Sequence, residues 1–488
     1  MIGLYTAAEV RAAEAPLLAA GPEGALMQRA ATGLATVCLR LLGRAHGTRV
    51  TALVGAGNNG GDALFAGAHL AGRGARVTAV LLDPDRAHGA GLAALRRAGG
   101  RVVRAGEGAG GLDRADLVLD GIVGIGGSGG LRPAAAALVE EAAGGPGLMV
   151  AVDVPSGVDA DTGAVPGAAF PAQHTVTFGA VKCGLVVGEG RGYAGAVHLV
   201  DIGLDEHLPA PTVRRLSDAD AADRIPPPNP DDDKYSRGVV GIVAGSSTYP
   251  GAGVLCTGAA LRARPGLVRY AGTAADGVRA AWPEAIVTEG RPGDAGRVQA
   301  WVAGPGMGID AAAADVLAEV LATDLPVVLD ADALTLAARR PVLVRDRAAP
   351  TVLTPHDREF ARFGSEVGSD RIGAARRLAA DLGAVVLLKG DATVVAAADG
   401  TAFVNGTGTP WLATAGTGDV LSGIAGALLA TGLPAVEAAA VAAHVHGRTG
   451  QLAAARGPLI AGDLVRRLPE ALARLRGAPA DRLGDSDA

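Results

Sequence analysis

Aromatic side chains are scarce in this chain: Phe, Trp and Tyr make up 3% of its 488 residues. That is too few rings for the stacking platforms that hold single-stranded nucleic acid. Positive charge is not in excess either. Lys and Arg total 44 against 50 Asp and Glu, a net charge of −6, so there is no basic field to gather a phosphate backbone, and a small nucleotide-like ligand is the better expectation. Cysteine is scarcer still. Cys38, Cys183 and Cys256 are an odd number, far apart and without a Cys-x-x-Cys pair. This argues against disulfides and a zinc site, suits a reducing cytoplasm and makes the three core residues. Glu9, Arg11 and Glu14 stand where a secretory signal would need a basic start and an apolar run. The most apolar stretch, Val420 to Val445, is interrupted by Pro434 and Glu437, and reads as two buried helices instead of a membrane span.

What is present is alternation. At about 150 residues per domain the length suits two to four units, and two large ones fit best. Thr6 with Glu9 forms a capping box, so a helix is expected to open the fold. Short Val-rich runs follow at Val50 to Val54, Val77 to Leu82, Leu117 to Leu119, Met149 to Val152 and Thr175 to Phe178, with helix-length segments between most of them. Near-continuous apolar strands separated by helices predict a parallel sheet covered on both faces, with ligands at the carboxyl ends of its strands. Pro209, Pro211, Pro226, Pro227, Pro228 and Pro230, followed by Asp231, Asp232 and Asp233, mark a boundary. The pattern then resumes at Val239 to Val243, Trp301 to Ala303, Val327 to Leu329, Val352 to Leu353 and Val385 to Leu388. Thr393 to Ala396 and Thr401 to Val404 flank Asp399-Gly400 as a hairpin. The polar tail after Arg476 is expected to fray. The 74 glycines are a whole-chain bias, so a lone glycine carries little weight.

Two glycine loops stand out because each ends in an aspartate that a passive phosphate cradle does not need. The first is Gly55-Ala56-Gly57-Asn58-Asn59-Gly60-Gly61-Asp62, the second Gly416-Thr417-Gly418-Asp419. Glycines admit a phosphate close to the backbone, and the following helix turns its free N–H groups toward it. Taken alone, the first loop also fits a dinucleotide fingerprint, with Asp83 near the next strand end as a ribose-binding acid, so a Rossmann dehydrogenase is a rival reading. A tight turn alone is another. Against both stand Asn58, Asn59 and Asp62, where a dinucleotide fold wants small or apolar residues. Downstream come Asp120 with the loop Gly124-Ile125-Gly126-Gly127-Ser128-Gly129-Gly130, then Asp153-Val154-Pro155-Ser156-Gly157, then Lys182. A carboxylate and an ammonium delivered at strand ends suit an acid/base pair.

Asn58 to Asp62, Asp120 with its glycine loop, Asp153 to Gly157 and Phe178-Gly179-Ala180-Val181-Lys182 together resemble the NAD(P)H-hydrate epimerase family, over roughly residues 1 to 205. The resemblance implies substrate contacts along Asn58, Asn59, Gly60, Gly61 and Asp62 and along Gly124, Ile125, Gly126, Gly127, Ser128, Gly129 and Gly130. It further implies that Asp153 contacts the reacting ring, and that Asn59, Asp120 and Ser156 hold a potassium ion, for which amide, carboxylate and hydroxyl oxygens are suitable ligands. Ala63 departs from the family's usual glycine.

In the second half no Walker sequence with a Lys-Ser or Lys-Thr ending occurs. Phosphoryl transfer needs N–H donors for phosphates and a base within reach of the attacking hydroxyl, and Asp419 is placed to be that base, or else merely to cap its helix. Gly251-Ala252-Gly253, Gly304-Pro305-Gly306-Met307-Gly308, Thr354-Pro355-His356 and Lys389-Gly390-Asp391-Ala392-Thr393 lie near strand ends. With the second glycine loop they resemble the ADP- or ATP-dependent NAD(P)H-hydrate dehydratases, a branch of the ribokinase-like fold, over roughly residues 212 to 475. The resemblance implies substrate contacts at Ala252, Gly306, His356 and Asp419, and nucleotide contacts at Lys389, Gly390, Asp391, Ala392, Thr393 and Gly418, with magnesium accompanying ADP or ATP. Asp357-Arg358-Glu359 departs from the usual Pro-Gly-Glu. His444 and His446, two apart on a helix, face different sides and share no metal. Asp330 and Asp332 either touch magnesium or cap the next helix, and are left out of the site.

The expected whole is α/β with two doubly wound domains. Residues 1–207 form a Rossmann-like three-layer sandwich for epimerisation, and 212–475 a ribokinase-like domain for dehydration. Asp153 and Lys182 are the expected catalytic pair of the first, Asp419 the base of the second. Substrates are NADHX and NADPHX, with ADP, the donor that bacterial members generally use, preferred over ATP. No nucleic acid or membrane partner is expected, and a cytoplasmic homo-oligomer is. Two alternatives remain: a ribokinase-like small-molecule kinase with a regulatory nucleotide-binding N-terminal domain, and a non-enzymatic sensor of damaged dinucleotide.

Overall fold

A computed structural model describes residues 1–22, 24–106, 111–225, 227–263 and 266–477. Pro226 of the boundary and the polar tail beyond 477 lie outside the described residues. The described residues divide into two compact units, Gly3–Thr212 and, with Met1–Ile2, the stretch 213–477.

In the first unit seven strands form one sheet in the order Arg101–Arg104, Arg76–Leu81, Arg49–Val54, Leu117–Gly121, Leu148–Val152, His174–Phe178 and Ala196–Val200. Every neighbouring pair is parallel. Successive side chains leave a strand on opposite faces, and both faces are covered. Leu117, Leu119, Val150 and Val152 pack with Leu34, Leu64 and Leu70 of the helices Ala25–Leu42 and Asn58–Ala71. Val118, Met149 and Ala151 pack on Leu138 and Val139 of Pro133–Ala143. This three-layer burial is why the strands read as unbroken apolar runs. Thr6 caps Ala7–Ala20 in a capping box with Glu9, but that helix does not open the fold. The strand Ile2–Tyr5 precedes it and pairs in parallel with Val181–Lys182, Tyr5 opposite Lys182.

The second unit repeats the architecture with ten strands. Ile286–Thr288, Leu267–Ala271, Val239–Val243, Ala300–Ala303, Val327–Leu329, Thr351–Leu353 and Val385–Leu388 run parallel. Val394–Ala396 and Ala402–Val404 then continue as an antiparallel hairpin, followed by Val213–Arg215. The apolar run from Val420 splits as expected into Thr417–Leu429 and Ala435–Ala454, both largely buried. Gly423 lets the first of these lie against Pro250–Arg262, since a Cβ there would run into the Cys256 carbonyl oxygen. Cys38, Cys183 and Cys256 are all buried. Among the described residues no helix is long and apolar enough to cross a membrane.

Candidate active sites

In the first unit the site lies at the carboxyl ends of three adjacent strands. After Val54 the chain must turn sharply: Gly57 has a φ of 103°, and a Cβ on Gly55 would collide with the Ile122 carbonyl oxygen. Only glycine allows that approach. The turn opens Asn58–Ala71, exposing Asn58 and burying Asn59, Gly60, Gly61 and Asp62. Asn59 Nδ2 and Asp62 Oδ1 are buried without a hydrogen-bond partner. Ala63 is fully buried against Gly121, whose missing side chain makes room for its methyl group.

The strand Leu117–Gly121 delivers Asp120, which is wholly buried. Ser156 donates to it from Oγ at 2.7 Å and from its backbone N–H at 2.8 Å. Burial raises the Asp120 carboxyl to about 6, with the Ser156 and Ile122 hydrogen bonds acting against the rise. The Ser156 hydroxyl also accepts from the Val123 N–H at 2.9 Å. Asn59 Oδ1 lies 3.0 Å from where a Gly124 Cβ would be. Asn59, Asp120 and Ser156 therefore gather around the Ile122–Gly124 backbone. The Gly124-to-Gly130 loop leads away from them largely exposed, tied at one end by Arg11 donating to the Ile125 carbonyl at 2.7 Å.

Asp153 follows the next strand with a φ of 68°, a costly backbone for a residue other than glycine that tends to persist at functional sites. Its Oδ1 receives Lys182 Nζ at 2.6 Å, Thr177 Oγ1 at 3.2 Å and the Phe178 N–H at 3.3 Å. Lys182 is 1% exposed. Two further carboxyls share this charge environment. Burial, then Asp153, then Glu14 push Asp62 well above the carboxylate range, while Lys182 pulls it down. Glu14, on Ala7–Ala20, is raised mainly by burial, against the pull of Lys182.

The second unit holds a cavity of about 720 Å³ lined by Asp330, His356, Lys389, Gly390, Asp391, Thr393, Gly418, Asp419 and His446 among others. That volume suits a nucleotide-sized ligand. Gly416, at a φ of 85°, turns the chain into Thr417–Leu429, so Asp419 sits in the helix's first turn. Burial raises the Asp419 carboxyl to about 7, helped by the Asp330 charge and opposed by Lys389. Lys389 donates to Asp330 at 2.8 Å and lies 3.5 Å from Glu359. Ser422, one turn beyond Asp419, donates to the other Asp330 oxygen at 2.7 Å. A Cβ on Gly418 would sit 3.7 Å from both Asp330 and Lys389, so the ion pair lies directly beneath the loop. Ala331, the next residue, has a φ of 49°, a strained backbone at this site.

His356 caps a short helix, its ring accepting from the N–H groups of Arg358 and Glu359, while Glu359 bonds back to its N–H at 2.9 Å. Asp357, in the departure from Pro-Gly-Glu, takes a two-pronged contact from Arg371, each at 3.0 Å. Ala252 and Gly306 meet each other, with a Gly306 Cβ position 3.0 Å from Ala252. Neither these two nor Ala392 lines the cavity. His446 faces the Thr417 carbonyl at 2.9 Å, and burial lowers it to about 4, so it is neutral and donates. His444 pairs instead with Asp218 at 2.6 Å. Among the described residues no group of three or more His, Cys, Asp or Glu is placed to hold a metal.

Asp330 belongs to the site although its sequence context alone leaves it open as a helix cap. It ends an apolar strand, as Asp120 and Asp153 do, but nothing local showed that Lys389, 59 residues on, would be its partner. Asp332, beside it, bonds the Gly308 N–H at 2.9 Å and does not line the cavity. Glu14, Glu359 and His446 carry no sequence pattern that marks them as site residues.

Residues 240–473 match the family described as NAD(P)H-hydrate dehydratase, and residues 23–184 match the YjeF-related protein N-terminus. The chain is 53% identical to the bifunctional NAD(P)H-hydrate repair enzyme Nnr of Mycobacterium leprae, covering 96% of this chain and 99% of that protein. It is 55% identical to the protein of the same name from Mycobacterium tuberculosis strain H37Rv, over 89% of this chain and 91% of the relative. A solved ribokinase-like superfamily protein from Enterococcus faecalis is similar over 55% of this chain and 98% of its own, at 27% identity and a TM-score of 0.50.

Proposed function

The chain belongs to the bifunctional NAD(P)H-hydrate repair enzymes, and from that membership we propose how its own residues divide the work. The family's two activities are epimerisation of R and S NAD(P)HX and nucleotide-dependent dehydration of the S form to NAD(P)H. Hydration adds a hydroxyl to the dihydropyridine ring and creates two epimers, of which a stereospecific dehydratase takes one. Epimerisation is assigned to the first unit, at Asp153 and Lys182, with Asn58 to Asp62 and Gly124 to Gly130 around the substrate. Dehydration is assigned to the second.

The observation that carries the second assignment is Asp419, raised to about 7 in a nucleotide-sized cavity beside a buried Lys389–Asp330 pair. A general base works best with its pKa near the operating pH. Asp419 takes the proton of the ring hydroxyl as that oxygen attacks the terminal phosphorus of ADP or ATP, whose bridging P–O bond breaks to release AMP or ADP. The phosphate ester then leaves as inorganic phosphate, the adjacent ring carbon gives up a proton, and the double bond returns. Lys389, Gly390, Asp391, Ala392, Thr393 and Gly418 are the proposed nucleotide contacts, with Ala252, Gly306 and His356 on the substrate side. Three carboxylates, Asp330, Asp391 and Asp419, face one ammonium in the cavity lining. That charge set fits phosphates when magnesium accompanies them and offsets their charge. ADP is the proposed donor, and the cytoplasm, where these dinucleotides turn over, the proposed setting of a homo-oligomer.

Potassium fits the first unit chemically. Asn59, Asp120 and Ser156 would hold it; their amide, carboxylate and hydroxyl oxygens suit a hard cation, and the unpartnered Asn59 amide nitrogen is compatible with an amide flip that turns its oxygen to the ion. When bound, the ion supplies positive charge beside the fully buried Asp120. At constant ionic strength epimerisation is expected to rise with potassium and saturate, and Ser156→Ala to raise the half-saturating concentration by about 10- to 100-fold. An epimerisation rate indifferent to potassium from zero upward would remove the ion from the account.

A further inference from the structure

Interconverting two epimers requires a proton delivered as well as one removed, and Lys182 is not free to deliver it. Its three N–H bonds meet three acceptors, Asp153 Oδ1 at 2.6 Å, Thr177 Oγ1 at 3.1 Å and the Phe178 carbonyl at 2.8 Å. The ammonium is held in place as the direct ion-pair partner of Asp153. Another acid is needed, and the structure offers two, Asp62 from Asn58–Ala71 and Glu14 from Ala7–Ala20.

Asp62 is the better placed. It is 9% exposed, and its Oδ1 is buried with no hydrogen-bond partner. An ionised carboxylate in that position would lose hydration without compensation. Three carboxyls, Asp62, Asp153 and Glu14, share the single ammonium of Lys182, so they do not all ionise together. Asp153 holds the direct ion pair, and the proton falls to the others. Asp62 is pushed up by burial, by Asp153 and by Glu14, whereas Glu14 stands on a partly exposed helix face with Arg11 nearby to draw it down. A buried carboxyl without a hydrogen-bond partner beside one held in an ion pair offers an acid and a base in one site.

Resting on the epimerase reading of this unit, we propose that Asp62 is the catalytic acid of epimerisation, paired with Asp153 as the base on the opposite face of the ring. The hydroxyl of the hydrated ring stands on the carbon beside the ring nitrogen. Asp62 gives its proton to that oxygen, the carbon–oxygen bond breaks and water leaves. The nitrogen lone pair forms a carbon–nitrogen double bond. Water then adds to the other face, the π electrons return to nitrogen, and Asp153 takes the proton that the incoming water sheds. One proton has moved from Asp62 to Asp153, and the reverse conversion runs with the roles exchanged.

The test follows the pure R epimer of hydrated NADH, without ADP, in the full-length protein. Asp62→Asn, nearly the same shape, is expected to lower kcat for epimerisation by about 100- to 1,000-fold with little change in KM. Dehydration of the S epimer with ADP should be unchanged. In the unaltered protein the epimerisation rate falls at high pH, where Asp62 gives up its proton. Asp62→Asn should lose the alkaline fall, and Asp62→Glu, which keeps an acid, should restore it along with part of kcat. A higher KM at unchanged kcat would make Asp62 a binding contact only, and an alkaline fall that survives in Asp62→Asn would give the acid role to another group; either overturns the inference. If the unaltered protein does not interconvert the epimers, the epimerase reading fails instead.

Discussion

Replacing Asp419 by Asn is expected to slow dehydration of the S epimer by about 100- to 10,000-fold, while epimerisation in the same molecules continues. Asn keeps the shape and the place in the first helical turn but cannot accept the hydroxyl proton. The loss therefore falls on kcat, with KM for the dinucleotide little altered, as expected when an interaction made only in the transition state is removed. The pH dependence has a definite sign. Asp419 must be ionised to act, and burial together with Asp330 holds it at about 7. Dehydration in the unaltered protein should therefore rise with pH through about 7 and then level, whereas the residual rate of Asp419→Asn should show no such rise. Single-turnover measurements on the pure S epimer separate this step from nucleotide binding. An Asn variant retaining most of the rate would leave Asp419 as a helix cap.

Lys182→Met should have the largest effect on stability. It leaves the Asp153 carboxylate buried without its counter-ion, and breaking such a pair from one side costs about 3–5 kcal/mol. For a unit of this size each kcal/mol corresponds to roughly 2–4 °C in Tm, so the unfolding transition of the first unit should fall by on the order of 10 °C and epimerisation should vanish. Replacing both partners, as in Lys182→Met with Asp153→Leu, removes the stranded charge and should recover much of the stability but none of the activity. Thermal unfolding of the single and double variants reads this directly. Equal losses in both would mean that the pair contributes through packing alone.

How much of this was legible in the sequence depends on the reach of each interaction. Strands whose residues are all apolar were readable almost to the residue; Val239–Val243 and Val385–Leu388 lie where the pattern put them. Leu267–Ala271 was passed over because it carries Arg269, whose guanidinium leaves the sheet to donate to the Ala295 carbonyl at 2.7 Å. Arg101–Arg104 was obscured by an arginine at each end. The opening strand, Ile2–Tyr5, is only four residues long and runs straight into the capping box of Thr6 and Glu9, the stronger local signal.

The sites show the same division. Glycine loops and the aspartates that end strands are local, and Asn59, Asp120 and Ser156 could be named from them. Lys182 and Asp153 also stand at strand ends, and both could be named in the same way. That Lys182 has no spare N–H depends on the Thr177 hydroxyl and the Phe178 carbonyl turning inward, which a sequence does not display. Asp330 escaped for a related reason: it is held by Lys389 and Ser422, drawn from two distant elements of the fold.

The most direct measurement of the whole account is the return of reduced-nicotinamide absorbance when the full-length protein meets the epimer mixture of hydrated NADH with ADP, magnesium and potassium. Two buried acid/base sites in one chain predict that both epimers are converted completely. Absorbance that stops when the S epimer is spent would contradict the role given to the first unit. A stable phosphorylated dinucleotide in place of NADH would contradict the role given to the second.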